Sequence, residues 1–256
     1  MIVYLKTKEE IEGFKKAGKF AGQVLQKLIY EVAVGKTTNE LDKLAREECE
    51  RLGAKPAFLG YSGYPAAICA SNNSTLVHGF PNDIPLKSGD VLSIDVGVDV
   101  DGFIGDTAET IIVGNPSDQE PKAIELVTSC QIALHQAIAL SKQGMKLSDV
   151  SKEIFNEAKR NGYSVPFEYG GHGIDRHVLH AAPFVPNVPD EAHDIKLRAG
   201  MIIAIEPMFI LGKDPSTKVA EDGWGVNVNG LAAHCEHTVL VDFGTGIALT
   251  ERRKNG

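Results

Sequence analysis

Cysteine is scarce in this chain: four residues among 256, at Cys49, Cys69, Cys130 and Cys235, with no Cys-x-x-Cys pair. That spacing argues against a disulfide framework or a thiolate zinc cluster and reads as reduced thiols in a cytoplasmic protein. No apolar run approaches the ~20 residues of a membrane span. The opening MIVYLKTKEE carries neither the basic nor the apolar region of a secretory signal. Positive charge is also in deficit, 26 Lys plus Arg against 34 Asp plus Glu, a net charge of -8. A nucleic-acid footprint is not expected on such a chain. What remains is a sequence long enough to bury a full core, read as one domain over residues 1–256.

Four helices are signalled. Thr7 with Glu10 forms a capping box ahead of an apolar stripe from Ile11 to Ile29, and Thr37 with Glu40 opens a second helix closed by Gly53. Ser117 with Glu120 is expected to open a third, and Ser148 a fourth ending at Gly162. The second and fourth align, with Gly35 matching Gly144 and Gly53 matching Gly162. Strands repeat as well: SGDVLSID at 88–95 aligns with AGMIIAIE at 199–206, and DTAETIIV from Asp106 resembles EHTVLV from Glu236. The pattern predicts an α/β (α+β) fold of two helix-helix-strand-strand halves, roughly 7–115 and 117–243, related by a pseudo-twofold around a central antiparallel sheet.

The repeat places four acids at equivalent positions: Asp95, Asp106, Glu206 and Glu236. SIDVGVDVDGFIGDT at 93–107 reads as a hairpin about a four-residue loop, Asp99 to Gly102, which would set Asp95 directly across from Asp106. Cross-strand Cβ atoms are ~5 Å apart, and two unit charges at that distance repel by about 3 kcal/mol at an effective dielectric near 20. Carboxylates gathered in apolar strands without Lys or Arg are best explained by cations. His172, between Gly171 and Gly173, offers an unobstructed imidazole. Four carboxylates and one imidazole suit Mn, Fe(II) or Co(II), and bridging carboxylates would hold two ions.

SIDVGVDVDGFIGDT, GGHGI, IEPM, DGW and EHT, in that order over nearly the whole chain, closely resemble the type I methionine aminopeptidases of the pita-bread fold. The resemblance implies two divalent ions (Co, Mn, Fe(II) or Zn) held by Asp95, Asp106, His172, Glu206 and Glu236, with Asp106 and Glu236 bridging. It implies Glu206 as proton acceptor, His180 as donor to the carbonyl oxygen, and His78 in contact with the peptide beyond its first residue. Phe58, Tyr61, Tyr64, Cys69 and Trp224 would form the apolar pocket for methionine. Implied partners are the N-termini of nascent polypeptides, with the ribosome a candidate, and the implied state is a monomer. The chain starts almost at its first helix, without the large N-terminal domain of prolidases, which disfavours an Xaa-Pro aminopeptidase. A non-catalytic binding module is disfavoured by the full ligand set.

Two departures from the family stand out. Phe58 replaces a commonly small residue, and Leu179 a commonly aromatic one. In the family the second histidine follows the GHGI histidine by seven positions; here His180 comes one later. A bulge around Asp175 to Val178 would keep His180 in the site; otherwise His177 takes the role. His135, His193, His234 and His237 are expected to be surface or structural, with His234, in place of a family glutamine, a candidate support near Glu236.

Overall fold

The computed structural model describes residues 3–115, 117, 119–192 and 194–252, so His193 lies outside the described residues. Both capping boxes form: Thr7 and Glu10 open α1 (Lys8–Glu31), and Thr37 and Glu40 open α2 (Thr38–Arg51). The other two helices start differently from expectation. Glu120, not Ser117, holds the cap position of α3 (Pro121–Leu140), because a proline in the first turn needs no N–H partner. Ser148 lies inside the first turn of α4 (Leu147–Arg160), where its N–H and hydroxyl both donate to Asp194. An acid brought from a distant loop thus caps the helix.

By length and composition α3 is apolar enough to cross a membrane, which corrects the expectation that no run comes near that length. Here it is a core helix: Leu126, Cys130, Ala133, Leu134 and Ala137 are buried with residues of α4 and of the second-half strands.

The first half carries β1 (Lys55–Pro56), β2 (Ile68–Asn72), β3 (Thr75–Val77), β4 (Val91–Val100) and β5 (Phe103–Ile112). The second carries β6 (Gly170–Asp175), β7 (Val178–Pro186), β8 (Ile202–Ile205), β9 (Met208–Ile210), β10 (Thr217–Val219), β11 (Val226–Val228), β12 (Ala232–His234), β13 (His237–Val241) and β14 (Gly246–Ala248). β4 pairs with β5 on one side and with β1 and β2 on the other, and the second sheet runs β14-β13-β8-β6-β7. α1 and α2 cover the first sheet, α3 and α4 the second.

The duplication extends to the backbone. Gly35 and Gly144 both have φ +89, and each donates its N–H at 2.8 Å, to Leu86 O and to Leu197 O. Only glycine takes that left-handed conformation without cost. The halves join along β5: Ala108 and Glu236 exchange both backbone hydrogen bonds, at 2.9 and 3.4 Å. Thr238 Oγ1 accepts from Asp106 N and donates to Asp106 O, each at 2.8 Å. This seam brings the acids of the two halves to one place.

The first hairpin corrects the expected register. Its loop has two residues, Asp101 (φ +56) and Gly102 (φ +87), and Val100 pairs with Phe103. Asp95 therefore faces Ala108 and Asp106 faces Gly97, so the two aspartates are diagonal neighbours on one sheet face.

The candidate metal centre and its cavity

Asp95, Asp106, His172, Glu206 and Glu236 line a pocket open to solvent, about 540 Å³ with its mouth included. Asp106, His172 and Glu236 each present a ligand atom within 4.8 Å of the others. One oxygen each of Asp95, Asp106 and Glu236 is buried with no hydrogen-bond partner. His172 Nδ1 lies 3.1 Å from Gly173 O; a proton donated there leaves Nε2 with its lone pair free, 3.7 Å from both Asp106 Oδ2 and Glu206 Oε1. Orphaned carboxylate oxygens around an acceptor imidazole are the donor set a divalent cation takes, so the residues fit such an ion.

Without a cation the acids do not behave alike. Burial, followed by repulsion from neighbouring acids, holds Asp95, Asp106 and Glu236 well above the ordinary carboxylate range. Burial is also the largest influence on Glu206, yet its net shift is downward. The His234 ring beside it, with Nε2 3.1 Å from Glu206 Oε2, outweighs burial, helped by His172 and His78.

His78 has φ +60, an uncommon conformation for a residue with a side chain. Its ring meets Tyr169 edge to face at 6.1 Å. His180 stands at the rim, its ring 4.4 Å from that of His172 and perpendicular to it, with Nδ1 2.9 Å from the Tyr61 hydroxyl. Burial of part of the ring, then the neighbouring His172, pushes His180 down to about 4. Two irregularities in the pairing of β6 with β7 deliver it: the partner jumps from Phe184 to Ala181 between His172 and Gly173, and two residues of β7, Leu179 and His180, oppose Ile174 alone between Gly173 and Asp175. His177 sits at the hairpin turn with φ +61, its N–H donating to Gly102 O at 2.7 Å, and its ring against Gly102. Among the residues lining the cavity it has no place.

Phe58, Tyr61, Tyr64, Cys69, Leu179 and Trp224 form the apolar wall. Tyr64 meets Trp224 edge to face at 5.1 Å, and its hydroxyl reaches Ile68 O and Gly79 O at 3.1 Å each. Phe58 lies against Gly97, where any Cβ would overlap its ring. Of the remaining histidines, His135 is exposed, while His237 is buried with Nδ1 2.7 Å from Thr250 Oγ1. Sequence reasoning gave Tyr169 and Thr238 no role, although Thr238 closes the EHT motif and Tyr169 directly precedes GGHGI; the sheet-to-sheet seam and the ring contact with His78 reveal what they touch.

The chain matches the model of metallopeptidase family M24 over residues 12–242. It belongs to that family. It is 41% identical over 265 aligned residues to the methionine aminopeptidase of Aquifex aeolicus, covering 98% of this chain and 100% of that one. The crystal structure of methionine aminopeptidase from Thermotoga maritima superposes with a TM-score of 0.93 at 38% identity, over 98% of this chain and 100% of that one. The prolidase from Pyrococcus furiosus superposes with 0.78 at 26% identity, but this chain spans only 66% of it. The architecture is thus the pita-bread fold of methionine aminopeptidases and prolidases, and M24 membership makes the chain a metal-dependent hydrolase.

Proposed function

We propose that the chain removes N-terminal methionine from polypeptides with a small second residue, as a single catalytic domain acting in the cytoplasm on nascent chains. The observation that carries the reading is the convergence of orphaned acid oxygens from both halves, Asp95 and Asp106 with Glu236, beside the free face of His172. Full-length similarity to methionine aminopeptidases supports it over an Xaa-Pro specificity.

Asp95, Asp106, His172, Glu206 and Glu236 would hold two divalent cations, which when bound polarise the scissile carbonyl and acidify water. Glu206, the acid kept ionised by His234, accepts a proton from the attacking water and returns it to the leaving amine. His180, at the rim opposite the acids, donates to the oxygen that gains charge in the transition state. His78 contacts the peptide beyond the first residue. Phe58, Tyr64, Cys69 and Trp224 enclose the thioether side chain by apolar contact. The free α-amine faces the acid end, so chains are trimmed one residue at a time.

Manganese-loaded protein incubated with Met-Ala-Ser, an Xaa-Pro dipeptide and acetyl-Met-Ala-Ser tests this reading. Free methionine is expected from the first peptide alone; cleavage of Xaa-Pro in preference, or of the blocked peptide, would overturn it.

A further inference from the structure

Tyr61 lines the apolar wall, yet the structure ties its polar end to something else. Its hydroxyl lies 2.9 Å from His180 Nδ1, and the two rings meet edge to face at 5.1 Å, 77° apart. Tyr61 itself is set by an unusual turn: Gly60 has φ +84, Ser62 +48 and Gly63 +89, and Gly60 N and Tyr64 N close hydrogen bonds to Tyr64 O and Tyr61 O, both at 2.8 Å. A turn held by left-handed residues on both sides of the tyrosine fixes the backbone from which its ring reaches His180.

A neutral imidazole has one N–H and one acceptor nitrogen, and the partner of one nitrogen decides the state of the other. The phenol is a good donor. Nδ1 accepting from it leaves the hydrogen on Nε2, the nitrogen on the far side of the ring from Tyr61. His180 lines the same cavity as the four acids, so a hydrogen on Nε2 is the one available to a substrate held there.

We infer that Tyr61 is a positioning residue that holds His180 as the Nε2–H tautomer, with its donor aimed into the cavity. The inference rests on the proposed role of His180, because only a donor needs that tautomer. Tyr61 acts through His180 and is therefore needed for turnover more than for the fit of the methionine side chain.

The test is Tyr61→Phe, which keeps the ring and removes the hydroxyl. In zinc-loaded, ¹⁵N-histidine-labelled protein, long-range ¹H–¹⁵N correlations report the tautomer of His180, assigned by the loss of its signals in His180→Ala. Wild type is expected to show Nε2–H alone and Tyr61→Phe a mixture with Nδ1–H. On Met-Ala-Ser, kcat of Tyr61→Phe is expected to fall by about tenfold, a fraction of the ~10²–10³ carried by one oxyanion donor, with KM within about twofold. In the His180→Ala background the same change should have no further effect on kcat. An unchanged tautomer in Tyr61→Phe, a rise in KM at constant kcat, or an undiminished loss in the His180→Ala background would overturn the inference and leave Tyr61 a pocket residue. Failure of the proposed function is separately visible: wild type would then not cleave Met-Ala-Ser, while the tautomer measurement would still report on Tyr61.

Discussion

In the half built on β4 and β5, Asp95 and Asp106 share a sheet face with Gly97 and Ala108 and have mainly other acids near them. In the half built on β8 and β13, Glu206 stands 3.1 Å from His234 and 3.7 Å from His172. The repeat aligns His234 with Ile104, a buried apolar residue. Duplication therefore produced four acids, and three histidines, His234 and His172 from the second half and His78 from the first, made Glu206 different. Neighbours thus single out one member of a cluster of like charges: Asp95, Asp106 and Glu236 are pushed up, while Glu206 is lowered beside His234, the difference that the proposed roles of cation ligand and proton acceptor require.

Substitutions at Asp106 and Glu206 should give the largest effects. Asp106→Asn is expected to abolish metal-dependent hydrolysis together with tight metal binding, measured by calorimetry. Glu206→Gln should lower kcat by about 10²–10⁴, the usual worth of a positioned proton acceptor. If Asp106→Asn kept wild-type turnover with metal supplied, the two-metal reading would fall. His180→Ala should lower kcat by ~10²–10³, with His177→Ala within a few-fold of wild type. The reverse pattern in steady-state kinetics would reassign the donor.

A smaller effect sharpens the electrostatic side. Metal-free protein carries three carboxyls whose folded pKa is raised. The folded state then binds protons more tightly than the unfolded one, so their stabilisation is full below the ordinary carboxylate pKa, near 4, and is lost as pH rises through the folded values. Glu206, lowered, contributes in the opposite sense, but three outweigh one. Tm of the metal-free protein should fall from pH 5 to pH 8, and added Mn²⁺ should restore more of it at the higher pH. A metal-free Tm that rises over this range would contradict the account. Smallest is His234→Ala: burial would then push Glu206 up, moving the acid limb of the kcat/KM profile to higher pH. An unmoved limb would mean that His234 only packs.

Much of this molecule is legible in its amino-acid sequence. Asp95, Asp106, His172, Glu206 and Glu236 each stand in a motif or a repeat that marks them, because acids in apolar strands and repeated motifs leave few other readings, whereas Phe58, Tyr61, Tyr64, Cys69, His78 and His180 are reached only through the family resemblance. The paired glycines that show the duplication are equally plain, since a left-handed position demands them. The register of the first hairpin is not. Asp101-Gly102 is the dipeptide that a two-residue turn prefers, but alternation along the strands is compatible with either loop length; only the repulsion of facing acids in the longer one separates them, and a cation between the acids would remove it. The cap of α4 is hidden because it comes from Asp194, 46 residues away. The placement of His180 turns on irregular pairing of β6 with β7, which no periodic pattern encodes. His234 reads as a bystander in the sequence because its partner Glu206 lies on another strand, and only the meeting of β12 with β9, which sets His234 opposite Met208, brings them together.

Acids from both halves converge on one cavity, and the proposed function requires that they hold cations there. Titrating Mn²⁺ into metal-free protein by calorimetry, in buffers of different ionisation enthalpy, tests it most directly. The expected result is two ions per chain with net proton release in the wild type, because raised carboxyls must deprotonate to bind, and loss of tight binding in Asp106→Asn. Absence of binding in the wild type, or an Asp106→Asn titration that overlays it, would contradict the claim.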